Sequence, residues 1–185
     1  MTMLIAEVKT QSPWGYSSEL SWMELFKIAE KAGQMIAVHT DPRWGGSLDL
    51  VRKARGLTEK PILAKGVHRT DEELLAAFDA GADLALVVGR VPPLRLLARC
   101  LVEPSSITQL KELPRFARAV WNMRDVRDGE ARALESFGYA RKGWGGWLCQ
   151  ASYVRSIYDI QPGADAVLVG EHLVSYVNDR ERGRL

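Results

Sequence analysis

The sequence predicts an α/β protein in which helices cover a parallel sheet, and three observations carry that expectation. Short apolar runs alternate with amphipathic stretches along the whole chain. The runs are continuous rather than alternating, as strands buried on both faces require. Eight runs can be counted, enough for a closed (β/α)8 barrel, although the first four units alone fit an open doubly wound sheet equally well.

The first strand is LIAEV, Leu4 to Val8. Ser17 to Gly33 reads as a helix, with Leu20, Met23, Phe26 and Ala29 on one face and Gly33 as the stop. MIAVHT (Met35 to Thr40) is the second strand, and Ser47 caps the helix SLDLVRKARGL. PILAKGV (Pro61 to Val67) is the third. The helix that follows begins at Thr70, with Glu73 completing a capping box, and ends at Gly81. LALVVG (Leu84 to Gly89), CLVEP (Cys100 to Pro104), ARAVWN (Ala117 to Asn122), WLCQAS (Trp147 to Ser152) and AVLVGE (Ala166 to Glu171) supply the other strands. SITQLKEL and DGEARALESFGYARKG are the helices between the fifth, sixth and seventh. Each unit averages about 23 residues, against about 31 in a typical ~250-residue barrel, so some outer helices must be shortened or missing. VPPLRLLA and YVRSIYDIQPG are where that shortening is expected. GADLALVVGR and GADAVLVGEH repeat the same entry into a strand, in keeping with repeated βα units.

Composition narrows the function. Hydrophobic residues make up 46% and charged residues 26%, which excludes disorder, collagen and coiled coil. At about 150 residues per domain, the 185 residues form one domain, 1–185. No apolar run approaches ~18 residues, so no membrane span is expected. Glu7 and Lys9 break the first apolar stretch and argue against a secretory signal. With 25 basic and 23 acidic residues the net charge of +2 points to neither nucleic acid nor a membrane surface. Arg180, Arg182 and Arg184 read as a solvated tail. Cys100 and Cys149 make no disulfide scaffold, and with His39, His68 and His172 scattered there is no metal-ligand spacing; a reducing cytoplasm is the default.

Charged and polar residues close several strands: Glu7 and Lys9, Lys65, Glu103, and Asn122 with Arg124 beyond it. In a parallel barrel those ends converge on one face. A lysine near another cation and partly desolvated loses its proton more readily and can serve as a general acid, with a carboxylate as its partner base. A single charge at a strand end is usually where a strand meets water; the joint pattern is harder to dismiss. The loops TDPRWGGSL and LVGEHL could present backbone N–H groups to an anion, or simply turn. Trp14, Trp44, Trp121, Trp144 and Trp147 could line an aromatic pocket, with packing the commoner role for each. KGWGGW lacks the spacing of a nucleotide loop.

IAEVKTQSP, AVHTDPRWGGSLDLVRKAR, KPILAKGV, LVEP, WNMRDV and GADAVLVGEHL, in that order, resemble the strand motifs of the indole-3-glycerol phosphate synthase family. The resemblance implies a reduced TIM barrel and a carbon–carbon lyase that needs no cofactor and no metal. It makes Lys65 the general acid of ring closure and Glu103 the acid/base partner of the final dehydration. Lys9 would hold charged substrate groups, and Glu7 and Asn122 would position catalytic groups and sugar hydroxyls. Arg124 would pair with the anthranilate carboxylate. Ser12, Ser152 and Gly170 would bind phosphate.

The sequence also departs from the family. It begins almost at the first strand, so a shortened member without the family's N-terminal extension is expected. Gly66 and Val67 replace Asp-Phe and remove an aromatic wall. QASY stands where the family has S-E-S-G, putting Tyr153 at a phosphate-loop glycine, and Glu171 is acceptable beside a phosphate only if it points away. Two other functions fit the same residues: a related barrel enzyme acting on another sugar phosphate or aromatic, and a non-catalytic barrel that binds a ligand or partner. The expected partner is a small phosphorylated substrate, and a homo-oligomer would cover the flank that short helices leave bare.

Overall fold

In the computed structural model, which describes residues 2–125, 129 and 136–183, eight parallel strands close into a barrel in the order of the chain. They are β1 (Met3–Val8), β2 (Met35–His39), β3 (Ile62–Lys65), β4 (Leu84–Val88), β5 (Cys100–Glu103), β6 (Arg118–Asn122), β7 (Leu148–Ala151) and β8 (Ala166–Val169). The closing seam pairs Ile5 with Leu168 and Ala6 with Val169. The fold is therefore the (β/α)8 TIM barrel, and the open-sheet alternative is excluded.

Strand alternation divides the core in two. Ile5, Ala37, Leu63, Leu86, Leu101, Val120, Cys149 and Leu168 fill the barrel interior. Their neighbours of opposite parity, among them Ala6, Val38, Ala64, Val102 and Trp121, pack outward against the helices. Trp121 is fully buried there and Trp144 nearly so, both as packing.

The outer layer comprises α1 (Trp22–Ala32), α2 (Leu48–Arg55), α3 (Asp71–Asp79), α4 (Leu94–Leu97), α5 (Ile107–Glu112), α6 (Phe137–Gly143) and α7 (Leu173–Arg182). The shortening falls where the sequence places it: α4 has four residues, and a single 3-10 turn, Ile157–Asp159, stands between β7 and β8. Leu94 and Phe116 are each 67% exposed near this thin part of the layer.

Several boundaries differ from the sequence reading. The first helix begins at Trp22, not Ser17, because Ser17 bridges back to Gln11 and a reciprocal capping box forms between Ser21 and Glu24. Thr70 caps α3, but Glu73 reaches the N–H of Arg69 rather than that of Thr70, so the box is not reciprocal. Of the helix expected over 128–143, residues 128 and 130–135 lie outside the described residues; α6 starts after its cap, Ser136. Arg180 is not part of a solvated tail: it donates to the carbonyl of Ala32 at the end of α1. Arg184 lies outside the described residues. Among the described residues no helix is long and apolar enough to cross a membrane.

Candidate active site

Each residue at the mouth continues the inward-facing parity of its strand. Glu7 and Lys9 follow Ile5, His39 follows Ala37, Lys65 follows Leu63, Glu103 follows Leu101, and Asn122 follows Val120. Where the barrel runs out of apolar filling, the next inward position carries a polar group. This alternation is how separate strands deliver one cluster to the carboxyl-terminal face.

Two charge groups form. In the first, Glu7 is 3% exposed, and its Oε1 accepts from Lys65 Nζ at 3.1 Å and from His39 Nε2. Burial pushes the Glu7 carboxyl up, but Lys65, His39 and Lys9 together hold it well below its ordinary value. Burial lowers His39 and works against imidazolium, while Glu7 opposes that. In the second group, Glu171 Oε1 accepts from Lys9 Nζ at 2.7 Å and Arg124 Nη1 at 3.0 Å. Burial raises Glu171, and the two cations bring it below its ordinary value. Burial also lowers Lys9, with Glu7 and Glu171 working the other way.

Asn122 links the remaining groups. Its Nδ2 donates to Glu103 Oε1 at 3.0 Å, and its Oδ1 accepts from Ser152 Oγ at 2.7 Å and from the N–H of Arg124 at 3.0 Å. Ser152 and Tyr153 are consecutive non-glycine residues with φ of 65° and 54°, a left-handed turn that neither favours. The turn points Ser152 at Asn122 and sets the Tyr153 ring 5.3 Å from the Arg124 guanidinium.

Two adjoining cavities meet at this cluster. One, of about 60 Å³, is walled by Trp14, His39, Trp44, Val67, Leu86 and Val88 on its less polar side. The other, of about 160 Å³, lies toward β7 and β8, against Ser152, Arg155, Gly170 and His172. Lys9, Lys65, Asn122, Arg124 and Ser152 line both.

The structure brings Glu7, Lys9, Lys65, Glu103, Asn122, Arg124, Ser152 and Gly170 to one mouth. Ser12 lines neither cavity: its Oγ accepts from the N–H groups of Trp14 and Tyr16 and shapes the loop after β1. Glu171 does not point away from the mouth but turns into it, because two cations stand within reach. Gly170 has a role beyond backbone exposure, since a Cβ there would fall 2.5 Å from Glu7 Oε2. The aromatic wall lost with Gly66 and Val67 is offset by Trp14 and Trp44, whose indoles do face the cavity.

Sequence reasoning gave His39 no place in the site, and it weighed Glu171 only as a residue that should point away. A lone histidine in an apolar strand reads as core, although its parity with Ala37 was a usable signal. Among the described residues no group of three or more His, Cys, Asp or Glu side chains is arranged to hold a metal.

No family model matches the chain. It is 32% identical to indole-3-glycerol phosphate synthase 2 of Streptomyces coelicolor over 193 aligned positions, covering 92% of this chain and 75% of that protein. It is 38% identical to the indole-3-glycerol phosphate synthase of Aquifex aeolicus over 93 positions and 32% identical to that of Sulfurisphaera tokodaii over 90. Those two matches span only 36% and 37% of the relatives' lengths. Among solved structures, a 3-hexulose-6-phosphate synthase superposes with a TM-score of 0.67 over 95% of this chain and all of that one, at 17% identity, a likeness of fold alone. With the strand-end residues assembled in one mouth and a relative matched over most of both lengths, the chain belongs to the indole-3-glycerol phosphate synthase family.

Proposed function

We propose that this barrel closes the indole ring of 1-(2-carboxyphenylamino)-1-deoxyribulose 5-phosphate, with loss of carbon dioxide and water. The observation that carries this reading is that Lys65 and Glu103 share one cavity, bounded on one side by tryptophans and on the other by the Ser152–Gly170 recess.

The aromatic ring enters between Trp14, Trp44 and Val67, with its carboxylate toward Arg124. The sugar carbonyl lies over Lys65, and the phosphate extends toward Ser152, Gly170 and Arg155. The ring carbon bearing the carboxylate attacks the carbonyl carbon, and Lys65 delivers a proton to the carbonyl oxygen as it becomes a hydroxyl. The carbon–carboxylate bond then breaks, carbon dioxide leaves, and its electron pair restores the aromatic ring. In the dehydration the hydroxyl leaves as water with a proton from an acid. The adjacent carbon loses a proton to a base, and Glu103, held by Asn122, serves this exchange. Lys9 and Arg124 must let go of Glu171 to meet substrate anions, and Glu7 keeps Lys65 facing the reaction centre.

Purified protein mixed with the carboxyphenylamino-deoxyribulose phosphate should develop indole fluorescence. Lys65→Ala and Glu103→Gln should each abolish it while circular dichroism stays unchanged. Full activity in both variants would overturn the roles of Lys65 and Glu103.

A second reading, a related barrel enzyme on another sugar phosphate or aromatic, is favoured by two observations: Glu171 occupies both Lys9 and Arg124, and Ala151 stands where the family carries glutamate. Substrate bound in calorimetry without turnover would support it.

A further inference from the structure

His39 has no counterpart among the residues that the family resemblance assigns, yet it sits inside the charge cluster. It is 4% exposed, at the end of β2 between β1 and β3, with Lys65 as its register partner on β3. Its Nε2 meets the Glu7 oxygen that also receives Lys65. Its ring lies parallel to the Trp44 indole, with an interplanar angle of 1° and centroids 6.0 Å apart, so both form part of the cavity wall. A histidine that merely filled the core would have no carboxylate on one edge and open cavity beside it.

The geometry fixes the direction of the bond. A carboxylate can only accept, so the proton lies on Nε2 and His39 donates. The other side of the Glu7 carboxylate is closed by Gly170, where not even a methyl group fits. The carboxylate is thus clamped between Gly170 and two donors, one of them the ammonium proposed to act as acid.

We propose that His39 is a positioning residue: its Nε2–H holds Glu7 in the one orientation that aims Lys65 at the reacting carbonyl. The inference rests on the ring-closure reading for its catalytic consequence, but not for the dyad itself. The charged groups acting on His39 are Glu7 from β1, Lys9 just beyond it and Lys65 from β3, and the loop after β2 sets the Trp44 ring against it.

Two measurements test it. In the free protein, 15N spectra of the histidine ring should show His39 as the Nε2–H tautomer that does not titrate in the ordinary imidazole range. Glu7→Gln should shift both ring nitrogens. Kinetically, His39→Leu should lower kcat about tenfold or more, the worth of one hydrogen bond to a charged group, with KM little changed. It should also move the acid limb of kcat/KM to higher pH, because Glu7 then protonates more readily. His39→Gln, whose amide N–H can take the Nε2 position, should restore both. A His39 ring that titrates normally and ignores Glu7→Gln would overturn the dyad. A His39→Leu enzyme with an unchanged pH profile would overturn the positioning role. Absence of turnover in the unaltered protein would sink the ring-closure reading and leave the spectra to decide the dyad.

Discussion

Glu7 and Gly170 stand so close that the second residue has to lack a side chain for the first to have its place. A Cβ on residue 170 would lie 2.5 Å from Glu7 Oε2 and 2.6 Å from its Cδ. The glycine is required by space: its φ is not in the left-handed region. Gly170→Ala should therefore displace the carboxylate, cost about 1–3 kcal/mol of stability, and remove most activity. Thermal melting and initial rates check both. A variant with full activity would show that Glu7 can move without consequence.

Glu171 is the internal counter-ion of Lys9 and Arg124. Glu171→Gln keeps the shape and removes the charge. The freed cations should then bind anions more tightly, roughly tenfold for inorganic phosphate if the lost competition is worth one pKa unit of interaction. Calorimetric titration with phosphate reads this directly, and unchanged or weaker affinity would mean that Glu171 does not compete for the cations.

Acid should destabilise the fold in two windows. Burial lowers His39 and His68 below the ordinary 6.5, so as pH falls past that value the unfolded chain takes up protons that the folded one refuses. Glu7 and Glu171 lie below the ordinary 4.5 in the fold; their contribution is complete above 4.5 and is lost as pH falls through their lowered values. In both windows the unfolded state binds more protons, so stability rises with pH. Urea midpoints measured at about pH 7.5, 5.5 and 4 should decrease in that order. A flat response between the first two would show that the histidines are not buried in their neutral form.

Ser106 caps α5, a helix of only six residues, by accepting from the N–H of Gln109 at 3.1 Å. Ser106→Ala should cost about 1 kcal/mol and leave turnover intact, since the hydroxyl is spent on the helix end. Denaturant unfolding and the fluorescence assay together test that separation.

The barrel was legible in the sequence because strands buried on both faces must be apolar throughout, and eight such runs are hard to produce by chance. Lys65, Glu103 and Asn122 were legible because each ends a run whose inward parity it shares. What escaped was anything decided across the barrel. Glu171 lies just beyond β8, and its direction depends on Lys9 and Arg124 from other strands. The start of α1 was read at Ser17 and lies at Trp22, because Ser17 is spent on a bridge to Gln11 and Ser21 is the residue that caps the helix. The contrast between Trp44 in the cavity wall and Trp121 in the core follows from loop path and strand parity, which composition cannot register.

The seam between β1 and β8 has a consequence for heredity as well as for folding. Glu7, Lys9, His39 and Lys65 come from the first four strands or just beyond them; Glu103, Asn122, Arg124 and Glu171 come from the last four or just beyond them. Cut between β4 and β5, each fragment would inherit half of these residues and two raw edges of the sheet, one from the cut and one from the β1–β8 seam. Neither half could work alone, and each would carry the template that recruits the other.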